Sequence, residues 1–265
     1  MSLYNRPDPG RSGNLPGRSR MLTEREKKRY ARQILLFGEE AQEKLKQAEV
    51  FLAGAGGLGS PVAIYLAVAG IGTIAIADND TIELTNLNRQ ILHRDRDCGR
   101  KKVASAEENL REINPDIEIR AVDATIGDGN AEELVGNADV IVDAMDNYAA
   151  RFLLNRAAFR KNIPLVHAAI RGLHGQATTV IPGKTPCLSC IFPHAPPGEV
   201  LPVLGATAGV LASIQATEVV KYLTGTGELL AGRLLLWDGR TSRAEEIAVE
   251  RNPKCPVCGG NGPGA

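Results

Sequence analysis

Four cysteines fall into two Cys-x-x-Cys pairs, Cys187 with Cys190 in TPCLSCIFP and Cys255 with Cys258 in NPKCPVCGG. Each pair holds one edge of a tetrahedron, and two pairs make a four-cysteine zinc site with no open position for a substrate. Cys98 alone lies outside the pairs. The pattern therefore predicts a structural zinc that clips the C-terminal end onto the body, with the chemistry elsewhere. Upstream, Gly54, Gly56 and Gly59 spell G-x-G-x-x-G, and Gly57 makes the turn richer still. Glycines serve where backbone must approach phosphate closely, and a helix N-terminus behind them offers aligned N–H donors. Asp78 follows nineteen residues after Gly59, where an acid accepts hydrogen bonds from ribose hydroxyls. These residues alone describe an NAD- or FAD-dependent oxidoreductase equally well.

The segment after Asp78 departs from that pattern. Arg89 and Lys102 stand thirteen residues apart just beyond the nucleotide turn. Hydride transfer needs no cations there, whereas a triphosphate does. Arg presents a planar fork to phosphate oxygens, and Lys a mobile point charge to a departing pyrophosphate. Arg94, Arg96, Arg100 and Lys101 are nearby, so a solvated basic loop is the competing reading. Asp146, in DAMDN, is expected to end the strand ADVIVDAMD, at the carboxyl edge of the sheet where ligands bind. It fits either a carboxylate that holds Mg²⁺ on the phosphates or a cap for the helix beginning YAARF.

The elements that must carry these groups are legible from periodicity. AEVFLAGAGGLG reads as a buried strand feeding the Gly-rich turn, SPVAIYLAVAG as an apolar helix, and TIAIADND as a second strand. IEIRAV, ADVIVDAMD and IPLVHAAI read as further strands, with helices near 100–113 and 148–161 between them. This alternation predicts an α/β fold, Rossmann-like and doubly wound on a mostly parallel sheet. GQATTVIPG, RLLLWDG and EEIAVERN then continue it as short antiparallel strands, with a long apolar helix at about 206–223 between the first two. Thr23 and Glu26 form a capping box that opens a helix through EREKKRYARQILLFG. Residues 1–20, rich in Pro, Gly, Arg and Ser, read as a disordered leader, and 21–265 as a single domain. PHAPPGEVLP reads as a Pro-rich loop.

Composition narrows the partners. Lys plus Arg number 31 and Asp plus Glu 31, so no overall positive field draws in nucleic acid or an anionic membrane. Aromatics at 4% argue against base stacking on single strands. No apolar run reaches the roughly 18 residues of a membrane span, and the N-terminus lacks the apolar core of a secretory signal. Cysteines placed for metal fit a reducing cytoplasm. His167 is expected as a hydrogen-bonded core histidine, His93 and His194 in loops, and Trp237 within the late sheet.

Several stretches in order resemble the ThiF/MoeB/HesA family, prokaryotic relatives of ubiquitin-activating enzymes. They are RYARQILL at 29–36, GAGGLGSP at 54–61, ADNDTIELTNLNRQILH at 77–93, GRKKVASAEENLREINP at 99–115, VDAMDNYAARFLLN at 142–155, and the cysteine pairs. The resemblance spans about residues 21–260. It implies a homodimeric adenylyltransferase that activates a carboxylate with MgATP, usually the C-terminal Gly-Gly of a ubiquitin-like sulfur-carrier protein. It places Gly54, Gly56, Gly57 and Gly59 at the phosphates and Asp78 at the ribose, with Asp80, Asn86 and Asn147 also lining the nucleotide. Arg89 and Lys102 would grip the triphosphate, Asp146 would organise Mg²⁺, and Arg32 would reach the partner subunit's ATP. Many relatives carry a cysteine just before the late apolar helix. Here PPGEVLPVLGATAGVLASIQATEVVK has none, which leaves any thioester or persulfide step open. Two alternatives follow from that gap: a small carboxylate acceptor, such as the guanylylpyridinol carboxylate of one methanogen relative, or a non-catalytic nucleotide-binding scaffold. Cys98 is read as incidental.

Overall fold

The computed structural model describes residues 20–194 and 202–259. The expected leader, apart from Arg20, and most of the Pro-rich loop lie outside the described residues. At the start of the described chain the capping box forms as expected, with Thr23 Oγ1 accepting from the Glu26 N–H and the Glu26 carboxylate accepting from the Thr23 N–H. The helix it opens is short, however. Two helices replace it, α1 (Glu24–Arg29) and α2 (Ala31–Phe37), and α3 (Glu39–Gln47) follows. The first break falls at Tyr30, whose hydroxyl accepts from Asn114 Nδ2 at 2.9 Å and whose ring fills the space over Gly70, 2.5 Å from where a Cβ would lie. The second falls at Gly38, with φ of +87°.

The remaining elements are β1 (Glu49–Ala53), α4 (Gly59–Ala69), β2 (Thr73–Ala77), α5 (Lys102–Ile113), β3 (Glu118–Val122), α6 (Ala131–Val135), β4 (Val140–Asp143), α7 (Tyr148–Lys161), β5 (Leu165–Arg171), β6 (His174–Val180), α8 (Leu188–Ile191), α9 (Gly205–Thr224), β7 (Arg233–Asp238) and β8 (Arg243–Ala248). One sheet takes all the strands in the order β3-β2-β1-β4-β5-β6-β7-β8. Pairings from β3 across to β5 are parallel, and those from β5 to β8 antiparallel. The expected mixed sheet is therefore present. The last strand begins earlier than EEIAVERN implies, because Asp238 folds the turn back by accepting from the Arg240 N–H and the Thr241 hydroxyl. Arg243 thereby pairs directly with Asp238.

Alternation along the strands divides the core. Val50, Leu52, Ile74, Ile76, Val140 and Val142 pack with Leu66, Leu110 and Leu211 of α4, α5 and α9 on one face. Phe51, Ala53, Ile141 and Leu165 pack with Leu154 and Ala158 of α7, and with the cysteines, on the other. β1 lies between β2 and β4, so the chain leaves it first to one side and later returns to the other. A crevice opens at such a reversal, beyond the carboxyl ends of the two flanking strands. No helix among the described residues is long and apolar enough to cross a membrane.

Candidate nucleotide crevice and tetrathiolate cluster

The Gly-rich turn leaves β1 at this reversal, and its glycines are dictated by contact. Gly54 has φ of +102°, and a Cβ there would stand 2.8 Å from the Ala144 carbonyl oxygen, on the turn that follows β4. A Cβ on Gly59 would stand 1.9 Å from the Gly54 carbonyl oxygen. The first turn of α4 has no side-chain cap and no acid, so the positive end of the helix is open to an anionic ligand. The Ala55 peptide is held on both sides. Its N–H donates to Asp78 Oδ2 at 2.8 Å, and its carbonyl lies 3.1 Å from His93 Nε2. A carbonyl only accepts, so Nε2 carries the proton. His93 lies in a loop, as expected, and is buried there. Burial, reinforced by Lys102, pushes its imidazole below the ordinary value despite the bond to Ala55.

Asp78, one residue past β2, also accepts from the Asp80 N–H. Asp80 in turn pairs with Lys102 Nζ at 2.7 Å, and that lysine is buried on α5. Arg89 is half-buried, and its stem runs along Gly57, where a Cβ would stand 3.4 Å from Arg89 Cγ. Gly205 opens α9 against the same segment, 2.6 Å from the Asn88 carbonyl oxygen at its would-be Cβ. The Arg89 guanidinium donates to the Thr85 carbonyl at 2.9 Å. Asn86 Oδ1 accepts from the Glu83 N–H and closes the short turn before Arg89. Arg89 and Lys102 are thus packed against the Gly-rich turn and its acids, not displayed on a solvated loop.

β4 ends at Asp143, so Asp146 lies three residues beyond the strand rather than at its end. Helix capping is not its task. Asn147 is the cap, with its Oδ1 accepting from the Ala150 N–H at 2.9 Å, and Asp146 is exposed. An exposed carboxylate beside the crevice is a hard oxygen ligand of the kind Mg²⁺ takes. Beneath this turn lies a buried cluster in which His167 is the hydrogen-bonded core histidine expected, while its partners Asp143 and Arg151 were missed. Asp143 Oδ2 accepts from His167 Nδ1 at 2.6 Å and lies 3.7 Å from Arg151 Nε. Asp143 Oδ1 accepts from the Met145 N–H, and Arg151 Nη2 donates to the Met145 carbonyl. Burial pushes the His167 imidazole down although Asp143 opposes this. An acid closing an apolar strand, Asp143 in VIVD, was the signal available.

Arg32 stands apart from these groups. It is exposed on α2, and its neighbour Gln33 donates to the Ala69 carbonyl at 3.0 Å, at the end of α4 remote from the Gly-rich turn. Eleven helical residues separate those ends by roughly 16 Å.

The four paired cysteines converge behind α8. Cys187 Sγ lies 3.6 Å from Cys255 Sγ and 4.0 Å from Cys190 Sγ, and Cys190 Sγ lies 3.3 Å from Cys258 Sγ. All four sulfurs fall within 4.8 Å of one another. A tetrahedral zinc with Zn–S bonds of about 2.3 Å has S–S edges of about 3.8 Å, so the donor set and its spacing fit. Burial opposes ionisation of Cys255, but the N–H groups of Cys258 and Val257 outweigh it and bring the thiol down to about 7. Asn155 on α7 anchors the cluster by accepting from the Leu188 N–H at 3.0 Å.

A Gly-rich turn at a sheet reversal, a packed Arg–Lys pair and a separate tetrathiolate define a nucleotide-binding α/β enzyme. The comparisons make the class definite. The ThiF family model matches residues 30–257; the chain belongs to this family and is an adenylyltransferase of the ubiquitin-activating type. The SAMP-activating enzyme E1 of Haloferax volcanii is 43% identical over 242 residues, covering 88% of this chain and 89% of its own length. The sulfur carrier protein adenylyltransferase of Thermus thermophilus is 40% identical over 250 residues, covering 89% and 92%. A crystal structure of E. coli MccB with ATP is similar at a TM-score of 0.79 and 26% identity, over 95% of this chain and 77% of that one.

Proposed function

We propose that this chain uses MgATP to convert the C-terminal Gly-Gly carboxylate of a ubiquitin-like sulfur-carrier protein into its acyl-adenylate, within a homodimer. The observation that carries the reading is Arg89 packed on Gly57, with buried Lys102 tied to the Gly-rich turn through Asp80 and Asp78. Two fixed cations at the phosphate turn suit a triphosphate and have no task in hydride transfer. Gly54, Gly56, Gly57 and Gly59 would let the phosphates approach the backbone, while Asp78, Asp80, Asn86 and Asn147 line the nucleotide. Each Asp78 oxygen is engaged by one backbone N–H and keeps acceptor capacity for a ribose hydroxyl. Residues 21–265 act as one adenylation domain in this reading.

A carboxylate oxygen attacks the α-phosphorus, the bond from that phosphorus to the bridging oxygen breaks, and pyrophosphate leaves with the electron pair. The nucleophile is already ionised at neutral pH, so no side-chain base is required. Arg89 and Lys102 take up charge that shifts onto the leaving oxygens. Asp146 would hold Mg²⁺, which would supply positive charge to neutralise the phosphates. Zinc on Cys187, Cys190, Cys255 and Cys258 takes no part in the reaction, because four protein ligands leave no open position. Arg32 lies too far from its own crevice for an arginine side chain to span, which favours service to the partner copy. Leu35 and Leu36, each 81% exposed on the same helix, are apolar surface for that copy to cover.

The test is ATP–pyrophosphate exchange with zinc-loaded protein, offered carriers ending in Gly-Gly and a panel of small carboxylates. Exchange dependent on the Gly-Gly tail is expected. Exchange with a small acid alone overturns the carrier assignment while keeping the chemistry, and ATP binding without exchange on either panel favours the scaffold.

A further inference from the structure

We infer that Arg151, seated by Asp143 and His167, is a positioning residue that fixes the approach of Asp146 to the nucleotide; the inference rests on the MgATP reading above. Met145 immediately precedes Asp146, and both peptide groups flanking it are held by side chains. Its N–H donates to Asp143 Oδ1 at 3.0 Å, and its carbonyl accepts from Arg151 Nη2 at 2.7 Å. With those two planes fixed, the backbone leading into Asp146 has no free rotation. The holding groups are themselves immobile: Asp143 and His167 have no solvent exposure and Arg151 has 6%. His167 ties Asp143 to β5 through its 2.6 Å contact, and the Tyr148 ring lies 4.9 Å beneath the Arg151 guanidinium.

Capping of α7 does not account for this investment, because Asn147 already supplies it. Nor does core filling, since buried ionic groups cost desolvation that apolar side chains would avoid. What the cluster does is grip the turn that packs on Gly54, whose would-be Cβ meets the Ala144 oxygen at 2.8 Å and the Met145 sulfur at 3.6 Å. A shift of that turn would move Asp146 and the phosphate turn relative to one another. A displacement of about 1 Å in a positioned group is enough to affect such chemistry strongly.

Arg151→Lys keeps a positive charge against Asp143 but loses the fork that reaches Asp143 and the Met145 carbonyl together. ATP binding is measured by calorimetry with Mg²⁺ and with chelator, alongside melting temperature and the Mg²⁺ dependence of pyrophosphate exchange. We expect binding with Mg²⁺ to weaken about fivefold, the loss of one buried charge-assisted hydrogen bond. Binding in chelator should be unchanged. Added to Asp146→Asn, the substitution should cost nothing further in Mg²⁺-dependent binding. His167→Leu, which has no donor and so releases Asp143 from β5, is the second arm and should shift the same Mg²⁺-dependent part in the same direction. Equal weakening with and without Mg²⁺, a lower melting temperature with Mg²⁺ dependence intact, or full additivity with Asp146→Asn would each overturn the inference. Binding is read without any carboxylate acceptor. A wild-type protein that binds MgATP but exchanges with neither panel therefore defeats the proposed function and leaves this test standing.

Discussion

Gly57 has no side chain, and the Arg89 stem packs along it, with Cγ 3.4 Å from where a Cβ would lie. Replacing Arg89 by Ala should lower pyrophosphate exchange at least about a hundredfold, the scale of a lost transition-state contact, with the melting temperature nearly unchanged. Asp146→Ala should do the same, because Asp146 is exposed and caps nothing. Near-normal turnover in either variant would remove its assigned role. Gly59 is different in kind: a methyl group there meets the Gly54 carbonyl, which is backbone and cannot swing aside. Gly59→Ala should cost about 3 kcal/mol of stability, visible as a lower denaturation midpoint before any assay. The buried imidazoles of His93 and His167 are both held below the ordinary value. Their folded-state affinity for protons is thus weaker than in the unfolded chain, so protonation favours unfolding. Stability should be fully present above about pH 6.5 and fall as pH drops below it, by up to about 1.4 kcal/mol per pH unit for each histidine. Equilibrium unfolding from pH 7.5 to 5 on wild type and His93→Asn reads this slope directly, and an unaltered slope in the variant would assign it to other groups.

At the scale of elements, α7 serves two clients, with Arg151 reaching the nucleotide turn and Asn155 the N–H beside Cys187. Cys190→Ser should reduce bound zinc and lower the melting temperature, while protein that stays folded keeps ATP affinity; unchanged metal content would dismiss the tetrathiolate reading. Strands and long helices were legible because burial on both faces demands apolar runs, as in VFLA and VIVD, and because α4, α5, α7 and α9 keep helical spacing to Gly or Asn ends. What escaped was long-range packing. Tyr30 stops a helix that local propensity would continue, since its ring is committed to Gly70 and Asn114, far along the chain. The sequence offered Asp146 as metal ligand or helix cap, and only backbone geometry gives the cap to Asn147 instead. His93 lies in a sequence as polar as any loop, and its burial follows from Ala55 and Ser105, contacts that no local pattern encodes.

At the scale of the whole molecule, the crevice belongs to one sheet reversal, while exposed Arg32, Leu35 and Leu36 lie on α2, which meets α4 at the end remote from the Gly-rich turn. If each site borrows Arg32 from the other copy, Arg32→Ala and Asp146→Ala should each be inactive alone. Mixed and allowed to exchange subunits, they should recover about one quarter of wild-type exchange, since half the dimers are mixed and each holds one intact site. No recovery, with exchange of subunits verified, would place Arg32 outside the site. Chain order also sets an order in time. Every group expected to touch the nucleotide has left the ribosome by Asn147, and β5, which carries His167, follows within a few dozen residues. The metal site waits for Cys258, 68 residues after Cys190. The residues expected to line the nucleotide are therefore made well before the last cysteine, and a zinc held by the four thiols would be a late fastening on the fold.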